Sequence, residues 1–534
     1  MKLSLNSYTK RDTNIIKGFA ILCIVFHNYF HWLVPSPGEN EFDFSPARVH
    51  SLFDLLGQQP GEFVNILFSY FGHYGVQFFV MISGFGLTLS MLRREQGWGE
   101  FVINRLKKLY PLLLTGVVVC LLGCLVMNGR LFTQEEWREI GYKMLFIHTL
   151  LPGSGLSING PWWFFGLIFQ LYLLFPLLFR CMKKWRWQTF LVVLVVSYGL
   201  IFLFREALKL HHGTILMQNA PGHLPEFCLG MLLAFSKDRK MHWLWLVLAL
   251  ALFVWGNFAP GFYPFTFLSL CVITVFATQA WKARNRKRKT ESGKRKVIRS
   301  PFSVLHYFGG ISMMLFIVHG YFRVPVLKWA NTMTSAWGHL ASGLLFFLLV
   351  WGIALVAKPL YTFLVSLLDR IHLRENRLTR IISNVCAVTL GLFFAFVFGY
   401  FIYQNLNKFD EPLVFTGESN TEGTIQTDMV YATFVNVPLE QRYSALSVKG
   451  SVDVCSLDPT APLPQLVLSI PNVFWKSIEL PASCHTTDMN TFEFNEQILC
   501  PFNKSMKGKK LSIYFWNNQQ GNARFENAKV DILY

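Results

Sequence analysis

The stretch KGFAILCIVFHNYFHW, residues 17–32, decides the fold. It lies within an apolar segment over 14–34, about the 20 residues that a helix needs to cross a hydrocarbon core. Lys2, Lys10, Arg11 and Lys17 stand at its front. The segment is too long and too poorly ended for a cleaved signal peptide, so it reads as an uncleaved first membrane helix. At about 1.5 Å per residue, His27 sits roughly 15 Å beyond Lys17, near the middle of a core about 30 Å thick. Lys17, Ile24, His27 and His31 fall close to one helical stripe. Polar side chains here, Asn28 included, are costly in a membrane and are either functional or paired.

Working outward, ten further apolar segments follow at roughly 63–92, 103–127, 162–180, 188–206, 221–236, 242–257, 262–281, 303–327, 338–366 and 381–404. The predicted fold is therefore an all-α polytopic membrane protein of about 11 transmembrane helices, followed by a small C-terminal all-β domain. Composition agrees: 52% of residues are hydrophobic and 15% charged, against about 25% charged in soluble proteins. The formal charge of +18 is unevenly placed, because residues 405–534 hold 10 Lys+Arg against 14 Asp+Glu. The basic excess belongs to the membrane part and sits in alternate loops, including ten positive charges in WKARNRKRKTESGKRKVIRS (281–300). That alternation sets topology in a bilayer and argues against nucleic acid as a partner. It predicts a cytoplasmic N-terminus and, with an odd number of spans, residues 405–534 outside.

The tail changes character. TFVNVPLE, LSVKGSVDVC, PQLVLSI, LSIYFWNN and AKVDILY are short alternating or apolar runs separated by turn residues, the spacing of a β-sandwich. Residues 1–370 then form the membrane domain, 371–404 a cytoplasmic loop and final crossing, and 405–534 the exterior sandwich. Cys455, Cys484 and Cys500 lie in the tail and allow one disulfide among three pairings. No Cys/His spacing for a metal appears in the chain.

Six clusters carry possible chemistry. On the first helix, a neutral His27 in mid-membrane suits a general base near pH 7; the alternative is a histidine satisfied by a neighbouring helix. GVQFFVMISGFGLTLS (75–90) offers Ser83 and two glycines for close helix contact, with His73 just before it. In FVINRLKKLYPLLL, Arg105, Lys107 and Lys108 mark a cytoplasmic helix entrance, suited equally to phosphate binding and to topology signalling. NGPWWFFGLIFQLYLLFP (159–176) places Trp163 at an interface and Gln170 and Tyr172 within a span. Glu226 follows Pro225 at a helix N-terminus, where the dipole favours a carboxylate. Ser312 and His319 lie on a late helix.

In this order and spacing, the set resembles the acyltransferase 3 family of integral membrane acyltransferases. The resemblance rests on Lys17, Gly18 and His27; on Phe78, Phe79, Ser83, Gly84 and Phe85; and on Arg105, Tyr110 and Pro111. It continues through Asn159, Gly160, Pro161, Trp163, Gln170 and Tyr172, then Glu226, Phe227 and Gly230, then Ser312 and His319. It covers about residues 10–365. The family's first-helix basic residue is often Arg and stands one residue further from its histidine, so either Lys17 is not its equivalent or Asn28 takes the usual histidine position. The glutamate that many members carry before the glutamine is replaced here by Ile168 and Phe169.

The resemblance implies O-acyl transfer, commonly of acetyl, from cytoplasmic acyl-CoA to a hydroxyl of an extracytoplasmic glycan, in a bacterial inner membrane. His27 and Glu226 are then the candidate catalytic residues. Lys17, Arg105, Lys107 and Lys108 would hold CoA phosphates, and Asn28, His31, His73, Ser83, Trp163, Gln170, Tyr172 and His319 would meet substrate. Acyl-CoA enters as donor substrate and no cofactor or metal is held permanently. The expected partners are acyl-CoA, a cell-envelope glycan or lipid-linked saccharide, and membrane lipid. A glycan transporter or flippase would use the same buried polar residues as a path, but transporters often show internal repeats and none is evident in the sequence.

Overall fold

The computed structural model describes residues 2–4 and 8–370, apart from Pro35, Pro37, Gly213, 237–239 and 293–300. Beyond these it describes residues 385, 392, 399, 413, 421–426 and most of 431–534. The chain divides into two compact units, Met1–Arg205 with Ile215–Leu392, and Glu206–Thr214 with Phe393–Tyr534.

The first unit is helical: α1 (Lys10–Phe30), α2 (Pro46–Gln58), α3 (Phe63–Phe71), α4 (Gly75–Arg93), α5 (Trp98–Asn128), α6 (Gln134–Met144) and α7 (Trp163–His212), whose last residues fall in the second unit. It continues through α8 (Leu224–Phe235), α9 (Leu244–Gly256), α10 (Phe265–Ser292), α11 (Pro301–Gly310), α12 (Ser312–Val318), α13 (Arg323–Ala330) and α14 (Ala336–Arg370). Two short strands, β1 (Lys2–Ser4) and β2 (Lys240–His242), pair antiparallel. A capping box starts α1: the Asp12 N–H donates to Thr9 Oγ1 at 3.2 Å and the Thr9 N–H to Asp12 Oδ2 at 2.8 Å, which satisfies two otherwise orphaned donors.

Among the described residues, six helical stretches are long and apolar enough to cross a membrane: Lys10–Phe30, Pro60–Arg93, Trp98–Asn128, Gly160–Glu206, Phe265–Arg284 and Ala336–Leu368. The difference from the eleven predicted crossings has identifiable causes. The segments predicted at 162–180 and 188–206 are both helical and run on as one stretch, α7, counted once, with a break between them where Trp185 leaves helical geometry at φ −124° and ψ 38°. Helices form as expected at α8 and α9, but with 12 and 13 residues they are shorter than a crossing requires. The segment predicted at 303–327 is three short helices, α11 to α13. The segment predicted at 381–404 lies outside the described residues, apart from single positions.

Two crossings bring backbones into contact through glycine. A Cβ on Gly18 would sit 1.8 Å from the Leu305 carbonyl oxygen and one on Gly309 1.8 Å from that of Asn14, which locks α1 against α11. Gly84 and Gly230 do the same for α4 and α8, at 2.1 Å from Phe227 O and 1.9 Å from Met81 O. Small residues at helix contacts let dispersion act over whole backbones. Gly86, read in the sequence as a second contact glycine, faces open space instead.

The second unit holds an all-β sandwich. Its strands are β3 (Gly423–Ile425), β4 (Tyr431–Leu439), β5 (Ala445–Ser456), β6 (Gln465–Ile470), β7 (Phe474–Ile478), β8 (Asn490–Leu499), β9 (Lys509–Trp516) and β10 (Ala523–Leu533). One antiparallel sheet has the order β3-β10-β5-β8 and the other β4-β9-β6-β7. Alternation places Val435, Val437, Val448, Val452, Leu466, Leu468, Ile513 and Phe515 in the shared core. All five runs singled out in the tail are strands, and β3, β7 and β8 are additional. Cys455, Cys484 and Cys500 are all buried.

Candidate functional site

The polar residues of the helical unit gather in two places joined by α1. Toward its N-terminal end lies a cavity of about 830 Å³ lined by Lys17, Ser83, Arg105, Lys107, Lys108, Tyr172 and Ser312, with an apolar wall that includes Phe79, Leu112, Phe165 and Ile168. Seven residues singled out in the sequence, from α1, α4, α5, α7 and α12, thus share one wall. Gly86 lines the same space, so its missing side chain keeps the cavity open. The Arg105 guanidinium lies 5.3 Å from the Phe101 ring centroid, and its buried Nε has no protein partner. Four cations with no carboxylate among the lining residues are suited to a polyanion such as a phosphate ester.

Ten residues further along α1 is a cluster of three histidines. The His27 ring lies 5.0 Å from His31 and 5.6 Å from His73, centroid to centroid. It is 6% exposed, and its Nδ1 stands 3.3 Å from the Phe68 carbonyl oxygen. A carbonyl can only accept, so the proton belongs on Nδ1 and Nε2 keeps its lone pair, as a base requires. Asn28 donates instead to Ile24 O of its own helix at 3.0 Å. Of the two candidates for the histidine position, only His27 faces the cluster. Gly72 makes this approach possible, because a Cβ there would lie 2.6 Å from that of His27.

The described residues of the segment 36–48 pack beside these histidines, and the segment was not singled out in the sequence. Arg48 Nη1 donates to Glu39 Oε1 at 3.1 Å and to Asp43 Oδ1 at 2.8 Å, yet Glu39 is fully buried. Burial pushes the Glu39 carboxyl up to about 7 against the pull of its Asn40 N–H and of Arg48, and burial likewise pushes Glu41 up to about 7. Tyr263 ties the segment down by donating to Asn40 O, and its hydroxyl lies 3.5 Å from His73 Nε2. The sequence GENEFDF reads as a solvated loop because acids dominate it. Phe42 and Phe44 between those acids are the available sign of burial, and their rings pack on Trp163 and Tyr263.

The remaining predicted site residues serve other positions. Gln170 donates to Thr149 Oγ1 at 3.1 Å and Asn219 Oδ1 at 2.7 Å, and its Oε1 accepts from the Ala220 N–H, so it braces a turn. Asn159 and Trp162 both donate to Ile317 O, at 3.0 and 2.9 Å, which fastens the NGPWW stretch to α12. Trp163 stacks on His223 at 5.8 Å. Glu226 is buried in the first turn of α8, its Oε2 3.9 Å from His223 Nδ1 and without a hydrogen bond. His319 has Nδ1 at 2.9 Å from Phe316 O, while its Nε2 is buried and unpartnered. Trp163, Gln170, Glu226 and His319 are absent from the cavity wall.

Among the described residues, no group of three His, Cys, Asp or Glu side chains is arranged to hold a metal ion. The model of one protein family, described as an acyltransferase domain (Acyl_transf_3), matches residues 11–358. No curated protein and no solved structure gives a significant match.

Proposed function

Because that match spans well over half of the sequence, the chain belongs to the acyltransferase 3 family, and from this premise we propose that it moves an acyl group, acetyl first among candidates, from cytoplasmic acyl-CoA to a hydroxyl of an extracytoplasmic glycan. Family membership and the apolar helices make it a membrane acyltransferase. One observation carries the finer reading: a cation-lined cavity opens beside Lys17, and a histidine suited to act as a base stands ten residues further along the same helix.

In this mechanism Lys17, Arg105, Lys107 and Lys108 hold the phosphates of CoA, and the pantetheine arm carries the thioester toward His27. The acceptor oxygen attacks the thioester carbonyl carbon, so a C–O bond forms as the C–S bond breaks. His27 Nε2 takes the hydroxyl proton and returns it to the departing CoA sulfur, which leaves the imidazole neutral for the next cycle. Keeping the base on Nε2 depends on the Phe68 carbonyl, which holds the proton at Nδ1. Ser83, Tyr172 and Ser312 offer hydroxyls along the donor path. His73, 5.6 Å from His27 between ring centroids, is a buried polar group near the acceptor, and Glu226 and His319 are held as candidates for acceptor contact or for stabilising charge.

The sandwich is assigned a glycan-holding role in the same scheme, outside the membrane. Its support is one face of the β4-β9-β6-β7 sheet, where Tyr431 and Trp475 are 58% and 53% exposed and pack edge-on against Tyr514 and Trp516. Such rings can stack on sugars.

The test incubates membranes containing the protein with acetyl-labelled acetyl-CoA and total cell-envelope glycan. Label fixed to glycan, in amounts that scale with the protein, is expected. If neither acetyl nor any other acyl-CoA labels glycan, the transferase reading fails and a transport role gains.

A further inference from the structure

Buried polar side chains also gather between α1, the 36–48 segment and the α3–α4 junction, apart from the cationic cavity. Three side-chain polar atoms in this region are buried without a hydrogen-bond partner: His31 Nδ1, Glu39 Oε2 and Tyr70 Oη. Buried polar atoms are almost always paired in folded proteins, so such a concentration points to a ligand rich in groups that both donate and accept. The three belong together in space. The His31 ring bonds to the Glu39 main chain, Tyr70 lies in the field of the Glu39 carboxyl, and His73, which lies 5.6 Å from His27 between centroids, borders them on the α3–α4 side.

The rim of this site adds a platform. Trp32 is 56% exposed, lies 5.8 Å from the His31 ring, and carries the Arg323 guanidinium 4.8 Å from its centroid. An exposed indole next to buried carboxylate, imidazole and phenol groups is the chemistry that recognises a sugar: its apolar face stacks while its hydroxyls find partners of both kinds. Around Glu39 the charges favour an uncharged sugar, with the Arg323 cation kept to the rim over Trp32. Arg48 is already engaged by Glu39 and Asp43, and an acidic sugar would face the Glu39 carboxylate.

We propose that Trp32, His31, Glu39 and Tyr70 form the acceptor subsite, taking an uncharged sugar unit of the glycan, with the unpartnered Glu39 oxygen orienting one hydroxyl toward the histidine cluster. Glu39 is here a positioning residue, and the assignment rests on the transferase reading for which hydroxyl reacts, not for binding itself.

The test uses the full-length protein in liposomes with total envelope glycan as probe, comparing wild type with Glu39→Gln and with Trp32→Ala, which sits at an exposed rim and spares the core. Both variants are expected to raise the KM for glycan about tenfold while leaving CoA affinity, measured by direct titration, within about twofold of wild type. Independently of turnover, glycan is expected to slow backbone hydrogen exchange across 36–48 in wild type and to do so much less in either variant. Slowed exchange without any acyl transfer would retain the subsite and overturn the transferase. Transfer with unchanged glycan KM in both variants, and no glycan effect on exchange across 36–48, would overturn the subsite and retain the transferase.

Discussion

His27 and Asn28 are adjacent in sequence, and the helix alone turns them 100° apart. His27 points at His31, His73 and the Phe68 carbonyl, whereas Asn28 spends its amide on its own helix. His27→Ala is therefore expected to lower acyl transfer by 100-fold or more, on the order of what a lost general base costs. Asn28→Ala should cost about threefold or less, because only a local hydrogen bond goes. Loss confined to Asn28→Ala would move the site by one residue and remove His27 as the base. A different buried cation gives a pH test. Lys143 is fully buried on α6, donates to Ser154 O at 3.0 Å, and burial lowers its ammonium to about 7 despite the nearby Glu139 carboxylate. The unfolded chain keeps that proton up to about pH 10.4, so between these values the unfolded state binds more protons and stability rises with pH. Thermal unfolding of Lys143→Met against wild type should show a gap in the variant's favour of a few degrees near pH 7 that closes toward pH 10. A gap that ignores pH would refute the assignment. Histidines in apolar sequence were legible because their cost in a membrane singles them out. Glu39 was not, since an acid between polar neighbours looks solvated until Trp163 and Tyr263 are seen to pack on its segment.

Helix pairing turns on single glycines whose roles differ although they look alike in sequence. Gly84 and Gly86 both sit in SGFG, yet a Cβ would strike the Phe227 carbonyl from Gly84 and meet nothing within 4 Å from Gly86. Gly84→Ala is expected to destabilise by about 2 kcal/mol or more through forced separation of α4 from α8, read as lost detergent-stable protein. Gly86→Ala should leave thermal stability unchanged and raise the KM for acyl-CoA, because it narrows the cavity beside Lys17 and Arg105. Equal stability of the two variants would show that the α4–α8 crossing is looser than its contacts require. Periodicity reveals that a segment is helical but not which face meets a neighbour, so the α1–α11 and α4–α8 contacts could not be read from it. Length misled in the same way at α8, where the segment 221–236 suggested a full crossing but the helix has 12 residues. In the tail, β8 escaped notice because Glu493 and Glu496 dilute its apolar residues, while β5 and β9 announced themselves by clean alternation.

The chemistry proposed for the whole chain needs two sides of a membrane, since CoA is cytoplasmic and the glycan is outside. Charge predicts the orientation: the basic excess lies in residues 1–404 and the tail is slightly acidic, and loops rich in Lys and Arg stay on the cytoplasmic side. The cationic cavity fits that orientation, because Lys17, Arg105, Lys107 and Lys108 fall at the same end of their helices as the predicted inner loops. His27, about 15 Å along α1 from Lys17, would then stand deeper toward the exterior, with Trp32 beyond it. Only this polarity lets donor and acceptor arrive from opposite ends of one helix. Two single-cysteine variants test it, Asp488→Cys in the sandwich and Arg284→Cys at the end of α10, each made with the ten native cysteines replaced by serine or alanine, and both at exposed positions. A membrane-impermeant thiol reagent applied to intact spheroplasts is expected to label the first, and to label the second only after the membrane is opened. The reverse pattern would place the basic cavity outside, where it could not draw on cytoplasmic acyl-CoA, and the two-sided mechanism would fall even if His27 proved essential.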